Sequence, residues 1–238
     1  MSALNSTPTH NYRTGRVVGL AGTAALGGFL FGFDSAVING AAPAIKSTFG
    51  LSSLALGFTV SIALIGSAIG AWFAGLLAEK YGRRRVMLIA ATLFMAAAIG
   101  QAFPFGIADL LVWRLLGGAG IGVASVMAPM YIAEIAPAQL RGRLASMQQL
   151  AIVLGIFATG ISNYLILEAA GGDSTNDWLF GIAAWQWMFL VMLIPAIVYG
   201  ALALRLPESP RYLVEIGEYE QARAVLDQVY TDGTTQIL

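Results

Sequence analysis

The chain has 238 residues, of which 58% are hydrophobic and 11% charged, and its formal net charge is zero. With a mean hydropathy of +0.74 it is too apolar to be a soluble domain of this length, so it reads as an integral membrane protein. The absence of cysteine excludes disulfides, thiolate metal sites and cysteine catalysis, and no like-charged block longer than residues 83–85 exists to bind nucleic acid.

The polar N-terminal tail, residues 1–16, holds the single histidine, His10, which reads as a solvated side chain, and the sequon Asn5-Ser6-Thr7. Six stretches then reach the roughly 20 apolar residues that cross a bilayer: 17–42, 56–78, 86–103, 107–132, 144–167 and 185–204. The first continues past Asp34 with no cleavage site and reads as a retained helix rather than a signal peptide. Arg13, Arg16, Lys80, Arg83, Arg84, Arg85, Arg141, Arg143, Arg205, Arg211 and Arg223 all fall on one side of these spans, against Lys46 on the other. The positive-inside rule therefore predicts both termini in the cytoplasm and leaves the sequon unglycosylated. Gly28 with Gly32, Gly66 with Gly70 and Gly118 with Gly122 form G-x-x-x-G faces, which let helix backbones approach closely in lipid.

After span six the character changes. Pro210 begins a predicted helix, and the following amphipathic stretch sets Tyr219, Ala222, Leu226 and Val229 on one face, ending at the TDG of residues 231–233. The chain thus divides into a tail (1–16), a six-helix bundle (17–204) and the start of a helical linker (205–238).

Two charges interrupt the apolar spans. Asp34 in span one and Arg114 in span four both lie about 10 Å below the outer surface at 1.5 Å per residue, which lets them pair if the two helices are neighbours. An ionised side chain at mid-bilayer costs about 2.5–3.5 kcal/mol on insertion scales, so such residues usually mark an ion or substrate path. A carboxyl group beside a permanent cation can couple proton binding to a helix rearrangement, while a fixed ion pair joining two helices is the plainer alternative. No nucleophile and base, metal-ligand cluster or phosphate loop is visible, so neither an enzyme nor a cofactor is expected.

The loop from Gly75 to Arg85, GLLAEKYGRRR, brings the chain to a family resemblance. It matches the major facilitator pattern G-x-x-x-D-R-x-G-R-R at Gly75, Gly82, Arg83 and Arg84, with Glu79 and Lys80 as conservative replacements. FGFD at 31–34, WRLLGGAGIG at 113–122, YIAEIAPAQLRGRL at 131–144 and PESPR at 207–211 add further matches, in order, to the sugar porter branch of that superfamily. The resemblance implies an all-α fold, the N-terminal six-helix bundle of a transporter whose halves each contain 3+3 inverted repeats. It also implies proton coupling at Asp34 and Arg114, since passive facilitators tend to carry asparagine at the first of these. Sugar contact is implied for Gln149, with Ile152 and Ile156 on the same helical face, and for Phe31 one turn before Asp34. Some members carry glutamine where this chain has Ile156, and Gln148 reads as a packing residue or a lesser contact.

By the same resemblance, Gly82, Arg83, Arg84, Glu134, Arg141, Arg143, Glu208 and Arg211 form a charged gate network at the cytoplasmic helix ends. The implied partners are a sugar, H⁺, the lipid bilayer and the missing C-terminal six-helix half. The chain is thereby expected to be half of a proton-coupled monosaccharide symporter working by alternating access in a bacterial cytoplasmic membrane. A passive facilitator, a non-transporting sensor and a non-functional truncated half are the alternatives. In an isolated half, Asp34, Arg114 and Gln149 are expected to face lipid at high cost, favouring aggregation, dimerisation or degradation.

Overall fold

The computed structural model describes residues 12–230, so His10, the Asn5 sequon and the expected helix end at Thr231 lie outside the described residues. Six helices long and apolar enough to span a membrane appear among them. They are α1 (Thr14–Thr48), α2 (Ser53–Tyr81), α3 (Arg83–Ala102), α4 (Ile107–Ile135), α5 (Ala138–Ala169) and a sixth span divided into α6 (Ala184–Leu190) and α7 (Leu193–Arg205). Two short helices follow, α8 (Pro210–Glu215) and α9 (Tyr219–Val229).

Most helix ends overrun the apolar limits read from the sequence, because a helix can continue into the polar interface after its hydrophobic run stops. Thus α1 starts at Thr14, inside the expected tail, and runs through Pro43 to Thr48. The division of span six has a local cause. Pro195 has no N–H to offer Val191, whose carbonyl instead accepts from Ile194 N–H at 3.1 Å, and Met192 N–H donates to Phe189 at 3.1 Å.

The bundle is held by two crossings of the same kind. Between α2 and α4, Gly66 and Gly70 lie against the Leu115 and Ala119 carbonyls, while Gly118 and Gly122 lie against the Ala63 and Ser67 carbonyls. A methyl group at any of the four would collide with backbone, so only glycine permits this approach. Between α1 and α5, Gly28 and Gly32 meet the Gln148 and Ile152 carbonyls and Gly155 meets the Phe29 carbonyl.

These crossings superpose in register. Gly28, Phe29 and Gly32 stand where Gly118, Ala119 and Gly122 stand, and Gln148, Ile152 and Gly155 stand where Ala63, Ser67 and Gly70 stand. This is the 3+3 inverted repeat, written in backbone contacts. It places α1 and α4 centrally, against α3 and the sixth span, and leaves α2 and α5 with the least buried surfaces of the six. Their outward Leu64, Trp72, Phe73, Phe157 and Tyr164 are apolar or amphipathic, as a bilayer or an apolar neighbour requires.

At the end that carries both termini of the described chain, α8 and α9 pack on the bundle. Arg13 N–H donates to the Val229 carbonyl at 2.8 Å, and Arg16 Nη2 donates to Gln228 at 2.8 Å. The buried face of α9 is Ala222, Val225 and Val229, with Leu226 half-buried. Tyr219, expected on that face, is 59% exposed, because α9 is docked a fraction of a turn away from the predicted stripe.

Candidate functional site

Asp34 and Arg114 meet inside the bundle. Arg114 Nη1 lies 3.7 Å from Asp34 Oδ2, and both side chains are almost wholly enclosed, at 2% and 0% exposure. The expectation that an isolated half turns these charges toward lipid is therefore overturned. Helix α3 closes over them: Gln101, fully buried, accepts a hydrogen bond from Arg114 Nη1 at 3.2 Å, and the Val60 carbonyl of α2 accepts from Nη2 at 3.4 Å. Gly117 leaves the room for this, since a methyl group there would sit 3.0 Å from Gln101 Nε2 and 3.6 Å from Asp34 Oδ1.

Gln101 is the site residue that sequence reasoning missed. The available signal was a lone amide at the apolar end of span three, where an unpartnered polar group is costly. The inverted repeat shows what is special about this place. In its register Asp34 corresponds to Ala124 and Arg114 to Ala24, and Gly27, the counterpart of Gly117, faces Tyr199 Oη and Ala124 instead of an amide and a carboxylate. Each repeat thus contributes one charge, and the symmetry-related positions, Ala124 and Ala24, carry none.

A cavity of about 240 Å³ reaches Arg114 from between α1, α2 and α4, lined also by Phe31, Ser35, Ser61, Leu64 and Ser67. Phe31 shares this cavity with Arg114. The α5 residues are arranged differently from expectation. Gln149 is exposed and Ile156 is 47% exposed, whereas Ile152 is half-buried and turned onto Gly28 of α1, so the three do not share one environment. Gln148 donates to the Ser125 carbonyl at 3.3 Å, as a packing residue should. Lower on the same crossing, Thr159 and Asn163 donate to the Phe33 and Val37 carbonyls, fixing α1 on either side of Asp34.

The charged cluster at the opposite end is tightly bonded. Arg83 grips Glu134 through Nη2 at 2.7 Å and Nε at 2.9 Å, with both side chains under 10% exposed. Glu208 Oε1 accepts from the N–H groups of Arg83, Arg84 and Ser209 at 2.8, 3.2 and 2.9 Å, capping α3. Gly82, at φ +84°, makes the reversal that aims those N–H groups, and Arg84 Nη2 donates to the Leu204 carbonyl at 2.6 Å. Tyr131 and Tyr212, absent from the expected set, tie in the Pro207 and Lys80 carbonyls at 2.8 and 3.2 Å.

Arg211 joins this cluster only at its edge, through Glu215, which it meets at 3.1 Å and which also lies 3.8 Å from Arg83 Nη1. Two expected members stand apart: no hydrogen bond or ion pair of the cluster includes Arg141 or Arg143 among the described residues. The reason is direction: the first turn of α5 presents both arginines to solvent. Arg141 instead acts on Tyr230, whose hydroxyl burial pushes up while the guanidinium pulls it back.

Comparison with known proteins decides the family. The family model described as "Sugar (and other) transporter" matches residues 20–236. The chain belongs to this sugar transporter family. Its bundle has the major facilitator fold, and its relatives are transporters rather than enzymes.

Among its relatives, a glucose transport protein of Synechocystis sp. is 57% identical over 210 residues, covering 88% of this chain and 45% of the relative. A D-xylose-proton symporter of Escherichia coli K12 is 37% identical, covering 92% and 49% respectively. The solved structure of the proton:xylose symporter XylE bound to 6-bromo-6-deoxy-D-glucose resembles the chain with a TM-score of 0.84 at 35% identity, over 91% of this chain and 50% of that one. An inward-open form of XylE from E. coli gives a TM-score of 0.81 at 35% identity, over 92% of this chain and 53% of that one. The chain spans about half the length of the curated relatives that it matches.

Proposed function

We propose that this chain is the first six-helix half of a proton-coupled monosaccharide symporter, completed by a second six-helix bundle and working by alternating access about a site between the two. The observation that carries the reading is the enclosed Asp34–Arg114 pair, 3.7 Å apart beside a cavity that reaches Arg114. Its relatives include proteins named as symporters of protons with xylose or arabinose.

In this mechanism Asp34 binds the proton and Arg114 is the permanent cation that senses it. Ionised Asp34 holds α4 to α1 through Arg114, and protonation removes that attraction while the guanidinium keeps its charge. A few kcal/mol redistributed between helix arrangements is enough to change which side of the membrane the site faces. Phe31, Gln149 and Ile156 line the sugar path on the face that meets the second half, with Ile152 packed behind them against Gly28. Exposure of Gln149 in the single bundle fits a residue whose partner arrives from across that interface.

The cluster of Gly82, Arg83, Arg84, Glu134 and Glu208 braces the cytoplasmic end in the outward-facing arrangement and loosens when that end opens, with Arg141, Arg143 and Arg211 around its rim. Both termini are cytoplasmic in this reading, following the positive residues named above, and the membrane is a bacterial cytoplasmic membrane, a reading supported by relatives from bacteria.

The test is made on the full-length transporter in proteoliposomes. Adding sugar outside should raise external pH as protons enter with it, and Asp34→Asn should keep sugar exchange while losing uphill accumulation. A wild type that moves sugar without moving protons is a facilitator, and that result ends the symport reading.

A further inference from the structure

The chain enters its sixth span through a turn, residues 178–182, that bares more apolar surface than a water-facing loop needs. Phe180 is 91% exposed and Leu179 45% exposed, and Phe180 stands at φ +60°, a left-handed conformation that strains an aromatic residue. The turn is firmly made all the same. Trp178 N–H donates to the Ile182 carbonyl at 2.9 Å, and the Leu179 carbonyl accepts from Ile182 N–H at 3.2 Å and from Trp187 Nε1 at 3.1 Å. The Trp187 ring, near the start of α6, packs against those of Trp178 and Phe180 at centroid distances of 5.8 and 6.4 Å. Backbone strain and a bare aromatic ring both cost stability in water, and here a rigid frame holds them together. That combination calls for an apolar neighbour.

The adjoining surface says which neighbour. Along the sixth span from Trp187, Ile194, Ile197, Val198 and Leu204 are exposed at three- and four-residue spacing, the stripe of one helix face, with no polar side chain among them. Trp187 and Leu204 stand about 26 Å apart at 1.5 Å per residue, close to the roughly 30 Å apolar core of a bilayer. The exposed Arg205 closes the stripe at the other end. Trp187 and the Phe180 packed on it thus fall where acyl chains give way to polar groups, the level at which tryptophan rings collect. Asp173, Thr175, Asn176 and Asp177, all exposed, precede the turn and supply the polar part of the same loop.

We propose that the turn of residues 178–182 is an interfacial anchor, with Phe180 and Leu179 inserted among the glycerol and upper acyl groups of the leaflet at the end of the bundle opposite the termini. The occupant is phospholipid, because the exposed ring continues the lipid-facing stripe of the sixth span without a polar break. Insertion removes the bare aromatic surface from water and offsets the strain at Phe180. It also fixes the height of the sixth span in the membrane. The inference goes beyond the transport reading and does not depend on proton coupling.

The experiment uses the full-length transporter, with no other reactive cysteine, in proteoliposomes of phosphatidylcholine and phosphatidylglycerol. A nitroxide is attached to Leu179→Cys, with Asp177→Cys as the water-side reference and Ile194→Cys as the mid-membrane one, and sugar counterflow checks folding. Collisions are measured with oxygen, which concentrates among acyl chains, and with a polar nickel chelate, which stays in water. We expect the oxygen-to-nickel ratio at position 179 to be several-fold above that at 177 and below that at 194. Asparagine tolerates the left-handed conformation, so Phe180→Asn keeps the turn while removing the ring, and the ratio at 179 should then fall toward that at 177. Should labelled Leu179→Cys lose counterflow, Phe180→Cys carries the nitroxide instead. A ratio as low as that at 177 places the turn in water and overturns the proposal, and a drop in nickel collisions on adding sugar would mark it as a sugar contact. Few collisions with either reagent mean that protein covers the turn, the second half or a second copy, and this too overturns it. A ratio at 179 that stays high in Phe180→Asn overturns Phe180 as the anchoring side chain.

Discussion

Two groups of charges sit at opposite levels of this bundle, and they are bonded in opposite ways. Arg83 and Glu134 are joined by contacts of 2.7 and 2.9 Å, and Glu208 beside them accepts three backbone N–H groups. Asp34 and Arg114 stand 3.7 Å apart, and neither oxygen of Asp34 has a hydrogen-bond partner among the described residues. A saturated pair resists change, because any movement breaks several charge-assisted bonds at once. A slack pair is poised to respond, because its two protonation states differ less in bonding. The first arrangement suits a brace and the second a switch.

The contrast is broken most severely by Arg114→Leu, which leaves Asp34 enclosed without a cation. We expect a loss of about 4 kcal/mol or obligate protonation of the carboxyl group, seen as a large fall in thermal stability in detergent that recovers in part at low pH. The brace is tested by Glu134→Gln, which keeps the shape but removes the charge. It should cost about 2 kcal/mol, with Arg141→Gln within about 0.5 kcal/mol as its exposed control, both read from thermal unfolding.

The smallest effect belongs to the loop after α5. The N–H and hydroxyl of Thr175 bond to Asp173 Oδ1 at 2.8 and 2.7 Å and hold its carboxyl below the usual range. A lowered folded value means that this contribution is present above the ordinary carboxylate range and is lost as pH falls through the folded value. A smaller protection factor at the Thr175 amide in acid, taken relative to intrinsic exchange at the same pH, while the helices stay protected, is the expected reading.

Much of this architecture was legible in the residues. Spans of sufficient apolar length, the side bearing the arginines and the paired glycines each follow from one local rule, and all three G-x-x-x-G faces make backbone contacts between helices. The pairing of Asp34 with Arg114 was also foreseeable, since two opposite charges in lipid have few other ways to be satisfied. Gln101 was not, because nothing in span three says which neighbour its amide meets. Nor was the separation of Arg141 and Arg143 from the cluster, because motif membership does not fix the direction in which a side chain leaves its helix.

The sequence by itself determined that six stretches are long and apolar enough to span a membrane, which helices can touch, and which family the chain resembles, because the cost of polar groups in lipid acts on every residue according to its type alone. Only the tertiary structure decided that α3 encloses the charges, that an amide shares the arginine with the carboxylate, and that the positions related to the pair by the repeat, Ala24 and Ala124, carry no charge. Those outcomes depend on distances of a few tenths of an ångström between helices far apart in the chain, set by backbones meeting at glycine.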